Sequence, residues 1–404
     1  MVTVPNLKIS DYDYELPEAR IAKYPVARGE AKLLQYQNNS ITQKQYKNLP
    51  ELLSPDDVLI FNETKVVQAR LLFPLNENRL IEIFCLEPQA SQSVEEAMQQ
   101  QNHIIYKALI GGAKKWKQGT LSISLGEDAL YAEKIARNSD DFTVKLSWTG
   151  NYTFSEILEK AGKTPLPPYL KRAAEASDKT NYQSVFARFS GSVAAPTASL
   201  HFNTDLVNNL KQKGVTIKTL VLHVGAGTFK PVATDEVTDH EMHAEEFSLS
   251  LHFVREIQHI LHGGKNIIPV GTTALRAIES MYWTGCYLAE QPESDLTDFT
   301  LPQWYCYEAS KPLEPAHAFK VLEQYLQKRG LDHLQLKTQI IIAPGYTHRI
   351  IKALITNFHQ PKSTLLLLIA SLIGDQWKTL YQYAMQHNFR FLSYGDGCLI
   401  YPNK

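Results

Sequence analysis

The sequence predicts an α/β fold, a largely parallel sheet core with an inserted small β-barrel-like domain. Two rhythms in the chain point to it. After residue 150, apolar runs alternate with glycine turns and helical patterns, the signature of β-turn-α units and a parallel sheet. Before it, from Asp57 to Trp148, short strands follow one another closely: VLIFN, RLIEIFCL, IIYKALI, TLSISL, ALYAEKI and FTVKLSW, with Gly, Asn and Asp turns between them. Strands at that density build a small barrel or sandwich. A length of 404 residues allows two or three domains at roughly 150 residues each. The expected organisation is an α/β catalytic domain over 1–60 and 150–404, interrupted by a barrel-like domain over 61–149.

Within the first region, the polar stretch EPQASQSVEEAMQQQN (87–102) reads as a surface loop or short helix. In the second, 205–213 is helical in pattern, and VTIKTLVLHVG (215–225) is a buried strand ending at Gly225. KNIIPV (265–270) is another strand, closed by Gly271 and followed by the helical ALRAIESMY. KALITNF (352–358) leads through HQPKST into LLLLIASLI (365–373), an apolar run well short of the roughly 20 residues a membrane helix needs. It is expected to be a buried core helix, and no membrane association is expected. The proline- and aromatic-rich 288–317 is expected to be a surface excursion.

Hydrophobic residues at 44% and charged residues at 21% are ordinary for a soluble globular protein and exclude wholesale disorder or a fibre. Four scattered cysteines form no CxxC pair, against a disulfide framework or a cysteine zinc site. With no basic head and apolar run at the N-terminus, a cytoplasmic, reducing location is expected. A net charge of −1 does not by itself suggest a nucleic-acid partner. Any basic footprint must be local, at Lys114, Lys115 and Lys117, at Lys171 and Arg172, or at Arg349, Lys352 and Lys362.

Six stretches carry residue types suited to chemistry. GSVAAPTASLHF (191–202) combines small residues, which let backbone approach a ligand, with Ser192, Thr197 and Ser199 as hydrogen-bonding groups. LHVGAGTFKPV (222–232) runs a strand into Gly225 and Gly227 but lacks the third glycine of a dinucleotide fingerprint, so a small ligand's carboxylate or hydroxyls, held by exposed amides and Thr228, is the better match. DHEMHAEE (239–246) sets His240 and His243 one helical turn apart beside Glu245, for acid/base work or RNA contact before metal, because the spacing is not that of HExxH. GTTALR (271–276) opens a helix whose first amides favour an anion such as a methionine carboxylate. TNFHQPKST (356–364) gathers Asn357, His359, Lys362 and Ser363, and FRFLSYGDG (389–397) mixes aromatics with Arg390 and Asp396, a set suited to stacking and base-edge contacts. Each stretch also reads as plain turn plus core.

Nearly end to end, the chain resembles the S-adenosylmethionine:tRNA ribosyltransferase-isomerase family. The resemblance rests on DYDYELPEARIAKYPVARGEAKLL, DVLIFNETKVVQARL, TPLPPYLKR, YQSVFARFSGSVAAPTASLHF, LHVGAGTFKPV, HEMHAE, VGTTALRAIES, PGYTHRIIKALITNFHQPKSTLLLLIASLIG and FRFLSYGDGCLIY. Residues 77–142 and 288–339 match poorly, and Ser199, Ala343 and 336–339 depart from the usual pattern. The resemblance implies transfer and isomerisation of the ribosyl moiety of S-adenosylmethionine onto 7-aminomethyl-7-deazaguanine at the wobble position of a tRNA with a GUN anticodon. The products are epoxyqueuosine-tRNA, adenine and methionine. S-adenosylmethionine is then a co-substrate, no metal is expected, and a monomer suffices. A sulfonium acidifies the C5′ hydrogens, so the reaction needs one base there and an acid for departing adenine. The residues expected to serve it are His240, His243 and Glu245 in catalysis; Gly225, Gly227, Thr228, Thr272, Thr273, Pro196 and Thr197 around the co-substrate; and Arg28, Tyr169, Lys171, Arg172, His359 and Lys362 on the tRNA. Two alternatives are a metal-dependent hydrolase using His240, His243 and a third ligand, and a divergent tRNA-binding paralogue without the activity.

Overall fold

A computed structural model describes residues 4–89, 92–225, 232 and 234–403. Its centre is a seven-stranded sheet in the order Thr216–Leu220, Asp57–Asn62, Asn266–Val270, Leu354–Asn357, Gly397–Ile400, Lys32–Gln37, Ser40–Gln45. The first four strands run parallel; Gly397–Ile400 reverses, Lys32–Gln37 follows it in parallel, and Ser40–Gln45 returns as a hairpin. The largely parallel core is therefore present with a mixed edge. Asn38 and Asn39, at φ 51° and 59°, make the two-residue turn of that hairpin, a left-handed pair asparagine tolerates. All six residues of Asp57–Asn62 are buried. A strand covered on both faces must be apolar without alternation, which explains why VLIFN belongs to this sheet and not to the barrel-like region where the sequence pattern had grouped it.

The second seven-stranded sheet is wholly antiparallel, in the order Gly162–Lys163, Arg70–Asn76, Arg79–Pro88, His103–Gly111, Phe142–Trp148, Asp128–Arg137, Leu121–Leu125. It curls into a half-barrel: Leu121–Leu125 approaches Arg70–Asn76 to within 8 Å between Cα atoms without sharing a ladder with it among the described residues. Phe73, Ile83, Trp116, Trp148 and Phe154 fill its own apolar core. The polar stretch 87–102 contains the helix Val94–Gln99, opened by a capping box between Ser93 and Glu96.

Between these two bodies lies a four-stranded sheet, Leu222–His223, Glu245–Ser250, His333–Thr338 and Thr300–Leu301. Its last strand comes from the segment expected to be a surface excursion. That expectation is corrected: Leu296, Leu301 and Tyr307 are buried against the main core, because apolar residues spaced along a polar segment anchor it to the body it crosses.

Helix Thr272–Glu290 is buried along most of its length, and Leu365–Leu372 lies within the buried helix Thr364–Ile373. Among the described residues, no helix is long and apolar enough to cross a membrane. Glu279, fully buried on the first of these helices, accepts hydrogen bonds from the Tyr346 hydroxyl (2.5 Å) and from the backbone of Ile350 (3.2 Å), tying the PGYTHR loop to the helix.

Burial pushes the Glu279 carboxyl up to about 7 from 4.5. The folded chain thus keeps a proton that the unfolded chain releases between those values, so stability falls as pH rises through that window, by up to about 3 kcal/mol. Thermal melts from pH 4.5 to 8 are expected to decline more steeply for the wild type than for Glu279→Gln. Equal slopes would contradict this.

Candidate active site

The parallel strands deliver two turns to one cleft at their carboxyl ends, where ligands of α/β sheets bind. Asn266–Val270 ends at Gly271, Leu354–Asn357 ends at Phe358–His359, and the turn Ala194–Ala198 closes the opening. Gly271 sits at φ +98°, a conformation that favours glycine, and it starts helix Thr272–Glu290 without a side-chain cap. The first-turn amides are therefore available to a ligand, and the buried Thr273 hydroxyl beside them has no hydrogen-bond partner.

Across the cleft, Thr197 Oγ1 donates to Asn357 Oδ1 (3.0 Å), and Asn357 Nδ2 lies 3.1 Å from His201 Nε2. The His201 ring stacks on Tyr46 at 4.3 Å. His359 Nε2 lies 2.9 Å from Thr356 Oγ1, and its backbone N–H donates to Tyr381. Burial pushes both imidazoles down to about 3. They are neutral near pH 7, so they orient neighbours by hydrogen bonding and carry no charge. Tyr169 and Ser393, 2.5 Å apart between their hydroxyl oxygens, form the outer wall.

Val224 separates this cleft from a larger groove between the half-barrel and the four-stranded sheet. Four polar residues cross that sheet in register: His223 opposite Glu246, Glu246 opposite Lys337, Lys337 beside Thr300. Directly paired residues share a face, and all four line the groove. Burial pushes the Glu246 carboxyl up to about 7, against the pull of the Val94 amide that donates to it (3.2 Å) and of Lys337. His223 is pushed down to about 4 by burial, with Nδ1 3.2 Å from Thr64 Oγ1 and Nε2 without a partner. Gly191 lies over this ring, where a Cβ would overlap Val94 and the imidazole.

Of the sequence-predicted residues, the cleft gathers Pro196, Thr197, Thr272, Thr273, Tyr169 and His359, while Gly225 and His243 line the groove. Gly227 and Thr228 lie outside the described residues. The helix expected to carry His240 and His243 on one face is absent. A 3-10 turn, Val237–Asp239, is followed by an extended segment entering strand Glu245–Ser250, because burial of Glu245, Phe247 and Leu249 repeats every second residue. His240 lines neither cavity, and its carbonyl accepts from Gln303 (2.7 Å). His243 Nε2 stands 4.0 Å from Glu245 Oε1, and Glu245 turns inward to a buried ion pair with Arg276.

The expected tRNA-binding cations are engaged within the chain. Arg28 donates to the carbonyls of Gln183 (2.7 Å) and Thr180 (3.2 Å). Arg172 makes a bidentate pair with Asp178, both contacts 2.7 Å, over the Tyr24 ring. Lys171 pairs with Glu18 (2.8 Å) and Lys362 with Asp13 (3.0 Å), in exposed settings. Glu246 and Arg276 were missed as site residues; the alternating HAEEFSLS and the helical spacing Thr272, Thr273, Arg276 were their signals. Among the described residues, no three His, Cys, Asp or Glu side chains gather to hold a metal ion.

A family model described as Queuosine biosynthesis protein matches residues 9–400. The S-adenosylmethionine:tRNA ribosyltransferase-isomerase of Pelodictyon phaeoclathratiforme is 35% identical over 98% of this chain and 100% of its own length. That of a Ruegeria species is 37% identical with the same coverage. A crystal structure of S-adenosylmethionine tRNA ribosyltransferase from Thermotoga maritima is 26% identical over 96% of this chain and 99% of that one, with a TM-score of 0.46. A family match across nearly the whole chain, joined by full-length relatives above 30% identity, places the chain in the queuosine biosynthesis protein family.

Proposed function

We propose that this protein transfers and isomerises the ribosyl moiety of S-adenosylmethionine onto 7-aminomethyl-7-deazaguanine in tRNA, releasing adenine and methionine. The observation that carries the reading is end-to-end similarity to enzymes bearing that name, joined to a cleft built from the same motifs. The hydrolase alternative has no such support.

In this reading the adenosine part of the co-substrate occupies the cleft, where Thr197, Asn357 and the first-turn amides beside Thr273 offer hydrogen bonds to ribose and base. The modified wobble base of a tRNA with a GUN anticodon enters from the groove, and the sulfonium carbons lie where Val224 parts the two spaces. Glu246 takes a C5′ proton: a carboxylate stripped of water is a stronger base than an exposed one, and its proton affinity suits operation near neutral pH. His243 stands on the same wall and contacts the reacting groups. Adenine leaves with a proton as its C1′–N bond breaks, the aminomethyl nitrogen bonds to the rearranged ribosyl carbon and gives up a proton, and an oxygen of the rearranged ribose displaces the sulfur to close the epoxide, so that methionine departs as the thioether. The sequence of steps needs no metal and no external oxidant. The proposal includes a cytoplasmic monomer and a division into an α/β part, 1–60 and 150–404, with 61–149 inserted; the separate apolar core of the half-barrel supports an inserted unit, into which Phe154 and the strand Gly162–Lys163 also pack from beyond residue 149.

Incubation with S-adenosylmethionine and tRNA carrying the aminomethyl-deazaguanine is expected to release adenine in step with modified tRNA. Adenine absent above background would refute the reading. Because Glu246 loses its proton near pH 7, kcat/KM is expected to climb from pH 6 to 8 and then level. Glu246→Gln should lower kcat by roughly 10²- to 10⁴-fold and abolish that climb; an unchanged profile in the variant removes Glu246 from the base role.

A further inference from the structure

We infer that Arg276, which lines a small cavity, binds the α-carboxylate of the methionine moiety through the Nε and Nη2 edge of its guanidinium. This deepens the proposed function and rests on it. Arg276 lies on helix Thr272–Glu290, one turn beyond the threonines of the cleft, and is 6% exposed. Its Nη1 is committed to Glu245. Its Nε and Nη2 are buried and have no hydrogen-bond partner. A buried guanidinium with two unmet N–H groups is an expensive arrangement for a protein to keep for stability alone. Those two donors are also the pair that projects in parallel and matches both oxygens of one carboxylate.

The cavity that Arg276 lines supplies the rest of the recognition. Besides the polar His243 and Thr364, its walls are apolar, Met242, Ile340, Leu365 and Leu368 among them, around a volume of about 20 Å³, room for little beyond a carboxylate, so the methionine carbons would lie back toward Leu365. Leu365 also lines the threonine cleft, so the two spaces abut and one molecule can extend across both. Glu245 offsets the guanidinium charge and fixes its orientation. The pair is therefore close to neutral, a better match to a zwitterionic amino acid than to phosphate. The helix N-terminus one turn away is left to the ribose side of the ligand.

The test compares S-adenosylmethionine with decarboxylated S-adenosylmethionine in wild type and Arg276→Lys, which keeps a cation beside Glu245 but loses the fork. The wild type should favour the carboxylated substrate by about 10- to 100-fold in KM, the worth of a charged hydrogen-bonded pair. In the variant this preference should shrink to under about 5-fold, because only the carboxylated compound loses the fork. A variant that weakens both compounds equally overturns the assignment. Failure of the wild type to turn over S-adenosylmethionine at all would instead refute the proposed function. If the lysine variant does not fold, Glu245→Gln/Arg276→Gln removes both buried charges together and enters the same comparison. A crystal of the wild type with methionine decides independently: a carboxylate on Nε and Nη2 supports the assignment, and one bound elsewhere overturns it.

Discussion

The buried ion pair between Glu245 and Arg276 is the contact on which the geometry of the site depends. It joins the four-stranded sheet to the helix that rises from the parallel core, and two buried charges tolerate separation poorly because neither has water to fall back on. With Glu245 held inward, the pleat leaves Glu246 no choice but the opposite face. Two adjacent carboxylates thereby enter different environments: one stays paired with a guanidinium, while the other loses water to the groove and binds its proton more tightly. The register of a short strand thus sets the chemistry of its residues.

The parallel core contributes position. Gly271 turns the chain at the end of a central strand, the helix begins without a side-chain cap, and the neighbouring strand brings Asn357 and His359 to the same rim. Imidazoles buried there stay neutral, so the cleft is polar without being charged, which suits a nucleoside. Glu279 holds the loop after Ala343 against the same helix. The half-barrel closes the groove with Phe84 and with the ion pairs Arg70–Glu82 and Lys107–Glu87, leaving little unpaired positive charge on that wall.

Much of this was legible in the sequence where pattern and local physics agree. Apolar runs marked the parallel strands, and GTTALR and TNFHQPKST marked the turns after two of them. The run 215–225, read as one strand ending at Gly225, is two: Thr216–Leu220 in the central sheet and Leu222–His223 in the four-stranded one, with the Asn62 side chain bonding the Leu222 backbone where the chain crosses over. The DHEMHAEE segment misled for a physical reason: a three-residue histidine spacing is equally compatible with an extended chain, and what decides is burial of Glu245, Phe247 and Leu249 against partners far away in sequence. The strand Arg70–Asn76 and the hairpin around Asn38–Asn39 were not read either: RLLFPLN is an apolar run without alternation that carries a proline, which counts against a strand, and polar residues hide the alternation in the hairpin. The basic residues proposed for tRNA looked free in sequence, yet Arg28 and Arg172 are held by carbonyls and by Asp178, partners that only the fold supplies.

In the proposed function adenosine lies in the threonine cleft and the RNA base comes from the groove beside it. Photolabelling with 8-azido-S-adenosylmethionine, followed by peptide mass spectrometry, tests this most directly. Adducts are expected within 194–198 or 357–360 and should vanish with excess S-adenosylmethionine; competed adducts confined to half-barrel strands, such as 79–88 or 103–111, would contradict the account.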